Sequence, residues 1–151
     1  MYTSILVPLD GSKRAERILP YVEKLALSFN SKVIFMQVVE TYFAFTSPYN
    51  IYADPVFDQN TRDRRIKEVE TYLEGLKNEF IKRGIQAVYK VAEGPVVRTI
   101  IDTAESEGAD LIAMASHGRT GLGRVFYGNV AAGVLHQVDR PLLLIRAEGE
   151  E

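Results

Sequence analysis

The stretch Leu111–Val130, LIAMASHGRTGLGRVFYGNV, decides how the rest of the chain is read. Leu111 to Ala115 is an apolar run of strand length, and at Ser116-His117-Gly118 it breaks into a polar, glycine-bearing loop. The loop closes at Gly128-Asn129. Beyond it Val130, Val134, Leu135 and Val138 recur at helical spacing, which makes Asn129 a candidate N-cap. A strand that passes through a flexible loop into a helix N-terminus is an anion-binding arrangement. The first helical turn has N–H groups without partners, and glycines let the backbone approach phosphate oxygens closely.

Outward from this stretch, strand and helix patterns alternate. Ser4–Val7 reads as a strand ending at Pro8-Leu9-Asp10-Gly11-Ser12, and Ser12 can cap a helix whose apolar stripe is Ala15, Ile18, Leu19, Val22, Leu25 or Ala26, and Phe29. Asn30-Ser31 breaks that helix, and Val33–Val39 is nearly continuously apolar, as expected of a strand covered on both faces. Residues 41–60, TYFAFTSPYNIYADPVFDQN, carry six aromatics, two prolines and no helical stripe, so a long loop or lid is expected there. Contact with a ligand or partner and simple covering of the core edge both fit its composition.

Helical periodicity resumes with Ile66, Val69, Tyr72 or Leu73, Leu76 and Phe80 and stops at Gly84; a third strand follows over Ile85–Val91. Gly94-Pro95 opens a third helix with Val97, Ile100, Ile101 and Ala104 inward, ended by Gly108. After the fourth strand, loop and helix, Asp139-Arg140-Pro141 stops the chain's last helix and Leu142–Ile145 is a fifth strand; the acidic tail 147–151 is expected to fray. The alternation predicts an α/β fold, a five-stranded, mostly parallel sheet with helices on both faces. Ligands in such sheets sit beyond the carboxyl ends of the strands where strand order reverses. If strands 1 and 4 are neighbours at that reversal, the loops after both line one crevice.

The chain has 151 residues, 46% of them hydrophobic, which suits a single domain over 1–151 with a core that needs neither disulfide nor metal. Cysteine is absent, so there is no thiolate ligand or nucleophile, in keeping with a reducing compartment. Neither a basic leader nor a long apolar segment is present, and a cytoplasmic protein that does not engage membranes is expected. The net charge of -2, without a basic block, disfavours nucleic acid as a partner.

The glycine spacing matches neither common phosphate fingerprint. Gly118, Gly121 and Gly123 do not make G-x-G-x-x-G, and Asn129-Val130 stands where a P-loop has its Lys-Ser/Thr pair. The chain resembles instead, over its whole length, the universal stress protein family. The motifs that carry this are VPLDGS at 7–12, Asp-Leu-Ile-Ala-Met at 110–114, SHGRTGLGR at 116–124, GNVAAGVL at 128–135 and RPLLLIR at 140–146. The ATP-binding branch carries G-x2-G-x9-G-[S/T]; here Ala115 takes the first place, Gly118 and Gly128 the next two, and Asn129 the hydroxyl position. Ala115 adds a methyl whose cost depends on the local φ, and Asn129 keeps a polar group near phosphate.

The resemblance implies a Rossmann-like sheet of order 3-2-1-4-5 and an ATP site between the loops after strands 1, 2 and 4. Pro8 and Asp10 would lie near adenine and ribose, Val38 would offer backbone contacts to the adenine edge, and Gly118, Arg119, Gly128, Asn129 and Val130 would surround the phosphates. Leu9, Met114, Ala115, Ser116, His117 and Gly121 complete the implied nucleotide-binding set. Asp10 could alternatively hold magnesium through water. Arg124 fits either a phosphate contact or a solvated loop. The resemblance also implies a two-fold homodimer in which Leu142–Ile145, an uncharged edge strand, pairs with its copy.

Plainer roles stand beside these. Asp10-Gly11-Ser12 has the make-up of an ordinary turn and helix cap. His117 beside Ser116 lacks a third orienting group, so no catalytic residue is assigned. His136 falls on the surface of the last helix, the two histidines form no metal-ligand pattern, and Met36 and Met114 read as core. Three functions remain: an ATP-dependent regulatory binding protein with at most slow hydrolysis, a scaffold of the same family that holds no nucleotide, and a nucleotide hydrolase or transferase using Asp10 or His117 as base.

Overall fold

The computed structural model describes residues 1–40, 59–117 and 128–147. Its strands are β1 (Ser4–Leu9), β2 (Lys32–Val39), β3 (Ala87–Glu93), β4 (Leu111–His117) and β5 (Leu142–Ala147). They form one parallel sheet in the order β3-β2-β1-β4-β5, as the sequence leads one to expect. The helices are α1 (Leu19–Phe29), reached through a 3-10 turn at Ala15–Ile18, then α2 (Gln59–Lys82), α3 (Val96–Ser106) and α4 (Gly128–Gln137). No helix among the described residues is long and apolar enough to cross a membrane.

Strand alternation sends side chains to two cores. Ile5, Val7, Val33 and Phe35 face α1 and α2, where Val22, Leu73 and Phe80 meet them and Phe80 sets its ring edge-on to Phe35 at 4.9 Å. Leu6, Ile34, Met36 and Ile112 face α3 and α4, packing on Ile100, Ala104, Ala131 and Val134. All six residues of β1 are buried, which explains a strand that is apolar on both faces.

Several boundaries move. Gln59 and Asn60 belong to α2 and not to the loop, because the helix extends beyond its apolar stripe, its first turns being polar and joined by Gln59 Nε2 donating to Asp63 Oδ1 at 3.5 Å. The rest of the expected aromatic loop, 41–58, lies outside the described residues. β4 runs on through Ser116 and His117, since β5 pairs with it as far as His117–Ala147. Ala147 is accordingly buried in β5 and is not part of a frayed tail. β3 begins at Ala87, two residues later than expected, and ends at Glu93. Asn129 lies within the first turn of α4 and does not cap it, because the chain turns into the helix at Gly128, whose φ of +74° suits glycine. Ser12 does act as a cap: its Oγ accepts from Ala15 N at 3.1 Å and opens the 3-10 turn. Asn30, at φ +57°, ends α1 in the left-handed conformation.

One feature of the sheet positions everything functional. β1 pairs with β2 along its whole length, Ser4–Lys32 through Leu9–Gln37, but with β4 only at Ile5–Leu111 and Leu6–Ile112. Beyond those two pairs the strands part. Pro8, which has no N–H to donate, sits in β1 beyond the point where the β4 flank is paired. At the other end Asp110 ties the roots together, Oδ2 accepting from Thr3 N and Thr3 Oγ1, both at 2.9 Å, and Oδ1 from Ser4 N at 3.1 Å.

Candidate functional site

Parting strands at a reversal of strand order leave an opening, and the described residues surround a cleft of about 390 Å³ there. Because β1 and β4 are unpaired at this level, the cleft reaches both faces of the sheet. On the α3/α4 face its lining is apolar: Met36, Val38, Val96, Ile100, Met114 and Ala131. On the α1/α2 face stand Leu9, Ala15 and Ala115 with Gln37 of β2 and Arg65 of α2, and Asp10, Arg14 and Glu40 add charged groups to the lining. Ser116, Gly128, Asn129 and Val130 bound it from β4 and the start of α4.

The polar side is partly organised already. Asp10 Oδ1 accepts from Ser12 N at 2.9 Å, closing a turn, while Oδ2 lies 3.6 Å from Arg14 Nη2. Tyr72 of α2 donates its hydroxyl to Glu16 Oε2 at 2.5 Å, fastening α2 to the 3-10 turn beside the cleft. Burial first, and then that bond to Glu16, push the Tyr72 phenol well up, so it remains a donor at all ordinary pH. Ser116 is buried and donates to Ile145 O at 3.3 Å. Among the described residues no group of three or more His, Asp or Glu is placed to hold a metal by protein ligands alone.

Of the residues singled out from sequence, Pro8, Leu9, Asp10, Val38, Met114, Ala115, Ser116, Gly128, Asn129 and Val130 line this one cleft. His117 ends β4 opposite Ala147. Gly118, Arg119, Gly121 and Arg124 lie outside the described residues. His136 is exposed on α4, and Met36 and Met114 are core residues that also face the cleft. Among the described residues Asn30 alone of the non-glycines has positive φ, so Ala115 has ordinary strand backbone and its methyl brings no conformational strain. Sequence reading missed Arg14, Gln37, Glu40 and Arg65. Gln37 carried a signal, a lone amide inside the apolar run Val33–Val39; the other three are brought in by the topology.

Comparison with known proteins agrees with this layout. Universal stress protein MJ0577 of Methanocaldococcus jannaschii is 26% identical over 156 residues, spanning 97% of this chain and 96% of that one. The solved structure of MJ0577 matches with a TM-score of 0.80 at 27% identity, covering 99% of both chains. Universal stress protein YxiE of Bacillus subtilis is 27% identical over 148 residues, covering 97% of this chain and 100% of that one. A universal stress protein of Archaeoglobus fulgidus, solved in complex with dAMP, shares the fold at 18% identity with a TM-score of 0.68, covering 95% and 98%. The sequence pattern of the universal stress protein family matches residues 1–146, and the chain belongs to that family.

Proposed function

We propose that this universal stress protein binds ATP with magnesium in the cleft between β1, β2 and β4 and acts as a nucleotide-dependent regulatory binding protein. The observation that carries the reading is the division of the cleft where β1 and β4 part. A flat apolar wall of Met36, Val38, Ile100 and Met114 suits a purine ring, and the start of α4 at Gly128–Val130 offers N–H groups to phosphate. The A. fulgidus relative was solved with dAMP, which supports an adenine nucleotide as the ligand class.

Within this reading Pro8, Leu9, Asp10, Val38, Met114, Ala115, Ser116, His117, Gly118, Arg119, Gly121, Gly128, Asn129 and Val130 form the nucleotide site. Magnesium, when bound, neutralises phosphate charge; a lone carboxylate, Asp10, would steady it through water alongside the phosphates. Hydrolysis is at most slow, and the role is regulatory. Chain 1–151 acts as one cytoplasmic domain, paired with a second copy along the exposed edge of β5.

Calorimetric titration of the protein with magnesium-ATP tests this. A saturable heat is expected with a micromolar dissociation constant, a binding free energy of about -8 kcal/mol, and binding weakens when EDTA removes the metal. No heat at millimolar ligand, with the fold intact, refutes it and leaves a scaffold that holds no nucleotide.

A further inference from the structure

Arg65 is the charged group of the cleft for which base and 5′-phosphates have no use. It joins the lining from near the start of α2, on the α1/α2 side of the sheet, where the small side chains of Ala15 and Ala115 leave room. Among the described residues it has no ion-pair partner; Arg62, three residues earlier, is the cation that holds Glu93, at 2.6 Å. The two carboxylates of the lining are already matched. Asp10 Oδ2 lies 3.6 Å from Arg14 Nη2, and Glu40 has a partner of its own. One positive charge is therefore left over. Gln37 stands on the same face, a polar residue in an otherwise apolar strand, so this side of the cleft suits a charged, hydrated group and not a ring.

We propose that the α1/α2 side of the cleft is a second anion subsite, in which Arg65 takes a phosphate carried on the ribose of the nucleotide. The inference rests on the nucleotide reading of the cleft given above. In a nucleoside 5′-phosphate the base and C5′ project from one face of the ribose, and the 2′- and 3′-hydroxyls from the other. A ligand with its base on the wall of Met36, Val38 and Met114 and its 5′-phosphates at the start of α4 has both on the α3/α4 side. Its ribose hydroxyls then face the gap where β1 and β4 part, and a phosphate on either one passes through to the opposite side, where Arg65 stands. A guanidinium matches phosphate oxygens with paired N–H donors. The ligand class is thus a nucleotide with phosphate at the 5′ position and a second at the 2′ or 3′ position.

The test compares dissociation constants of AMP, adenosine 2′,5′-bisphosphate and adenosine 3′,5′-bisphosphate for the wild type, Arg65→Gln and Arg65→Lys. The wild type is expected to hold one of the two bisphosphates roughly 5- to 20-fold more tightly than AMP, the worth of a charge-assisted contact at a partly exposed site. Which bisphosphate it is tells which hydroxyl faces Arg65. Arg65→Gln should bring that ratio to within about twofold of unity through loss of bisphosphate affinity, and Arg65→Lys, which keeps the charge without the fork, should fall between. A wild type that binds AMP as tightly as both bisphosphates overturns the proposal. So does a preference that survives intact in Arg65→Gln, or an equal weakening of all three ligands there, which would place Arg65 on the part they share. A wild type that binds none of the three removes the underlying reading of the cleft, and the proposal with it.

Discussion

The tie between Asp110 and the first residues of β1 should be one of the chain's more costly polar contacts to remove. β1 and β4 share only two paired positions, Ile5–Leu111 and Leu6–Ile112, so little else joins the sheet's two halves at this point. Asp110 accepts three hydrogen bonds there, two at 2.9 Å and one at 3.1 Å, and its own N–H donates to Ser4 O at 2.9 Å. Bonds to a charged acceptor contribute roughly 1.5–3 kcal/mol each when buried; solvent at this half-exposed site reduces the sum to about 2–3 kcal/mol for Asp110→Ala. For a domain of this size that corresponds to a melting temperature lower by about 5–10 °C. The effect also carries a pH signature. Burial pushes the Asp110 carboxyl up, but the bonds from Thr3 and Ser4 outweigh it and hold the group below the ordinary aspartate range. A folded-state value below the unfolded one means stabilisation that is complete above the unfolded value, near pH ~3.9, and lost as pH falls through the folded value. Urea unfolding of wild type and Asp110→Ala should therefore show a constant gap from pH 7 to 5 that narrows below pH ~4. A gap under about 0.5 kcal/mol at pH 7, or one that persists undiminished at pH ~3, refutes the reasoning.

The contact between α3 and α4 gives a sign reversal. A Cβ on Gly133 would lie 2.7 Å from Val97 Cγ2, and a helical valine has few other rotamers to retreat to, so Gly133→Ala should destabilise by about 1 kcal/mol despite alanine's better helix propensity. In a Val97→Ala background the same change should stabilise by a similar amount, read by urea denaturation; destabilisation in both backgrounds would contradict the contact. At the open edge of β5, where Leu142–Ile145 are half-buried in the single chain, Leu143→Lys should convert the proposed dimer to monomer in sedimentation, and an unchanged dimer would rule out pairing through that strand.

Much of this architecture could be read from the sequence, because strand and helix periods report burial and burial is what forms the sheet. The same fact accounts for what could not be read. The first turns of α2 are exposed, Gln59, Asn60 and Asp63 among them, so the apolar stripe that begins at Ile66 gives no sign that the helix starts earlier. Ser116 resembles a strand terminus in sequence, yet it is buried, and only the pairing of β4 with β5, including its own bond to Ile145 O, accounts for that. Arg65 is brought to the cleft by the packing of α2 across the sheet. No local pattern encodes such an arrival.

The position of the cleft follows from two local features acting at opposite ends of one strand. Asp110 secures the root of β1 to the root of β4, which keeps the two halves of the sheet together. Past Leu6 the same pair is unpaired, and Pro8 could donate no backbone N–H to restore it. A continuous ladder would close the space between Leu9 and Met114 and bring the apolar wall of α3 and α4 against the polar groups near α2. Because the ladder stops, one ligand can touch both sides, an apolar ring surface on one and Asp10, Gln37 and Arg65 on the other. Stability and binding are thus separable by position. Substitutions at the root, such as Asp110→Ala, should shift unfolding while leaving ligand binding at the far, unpaired end of the strands alone.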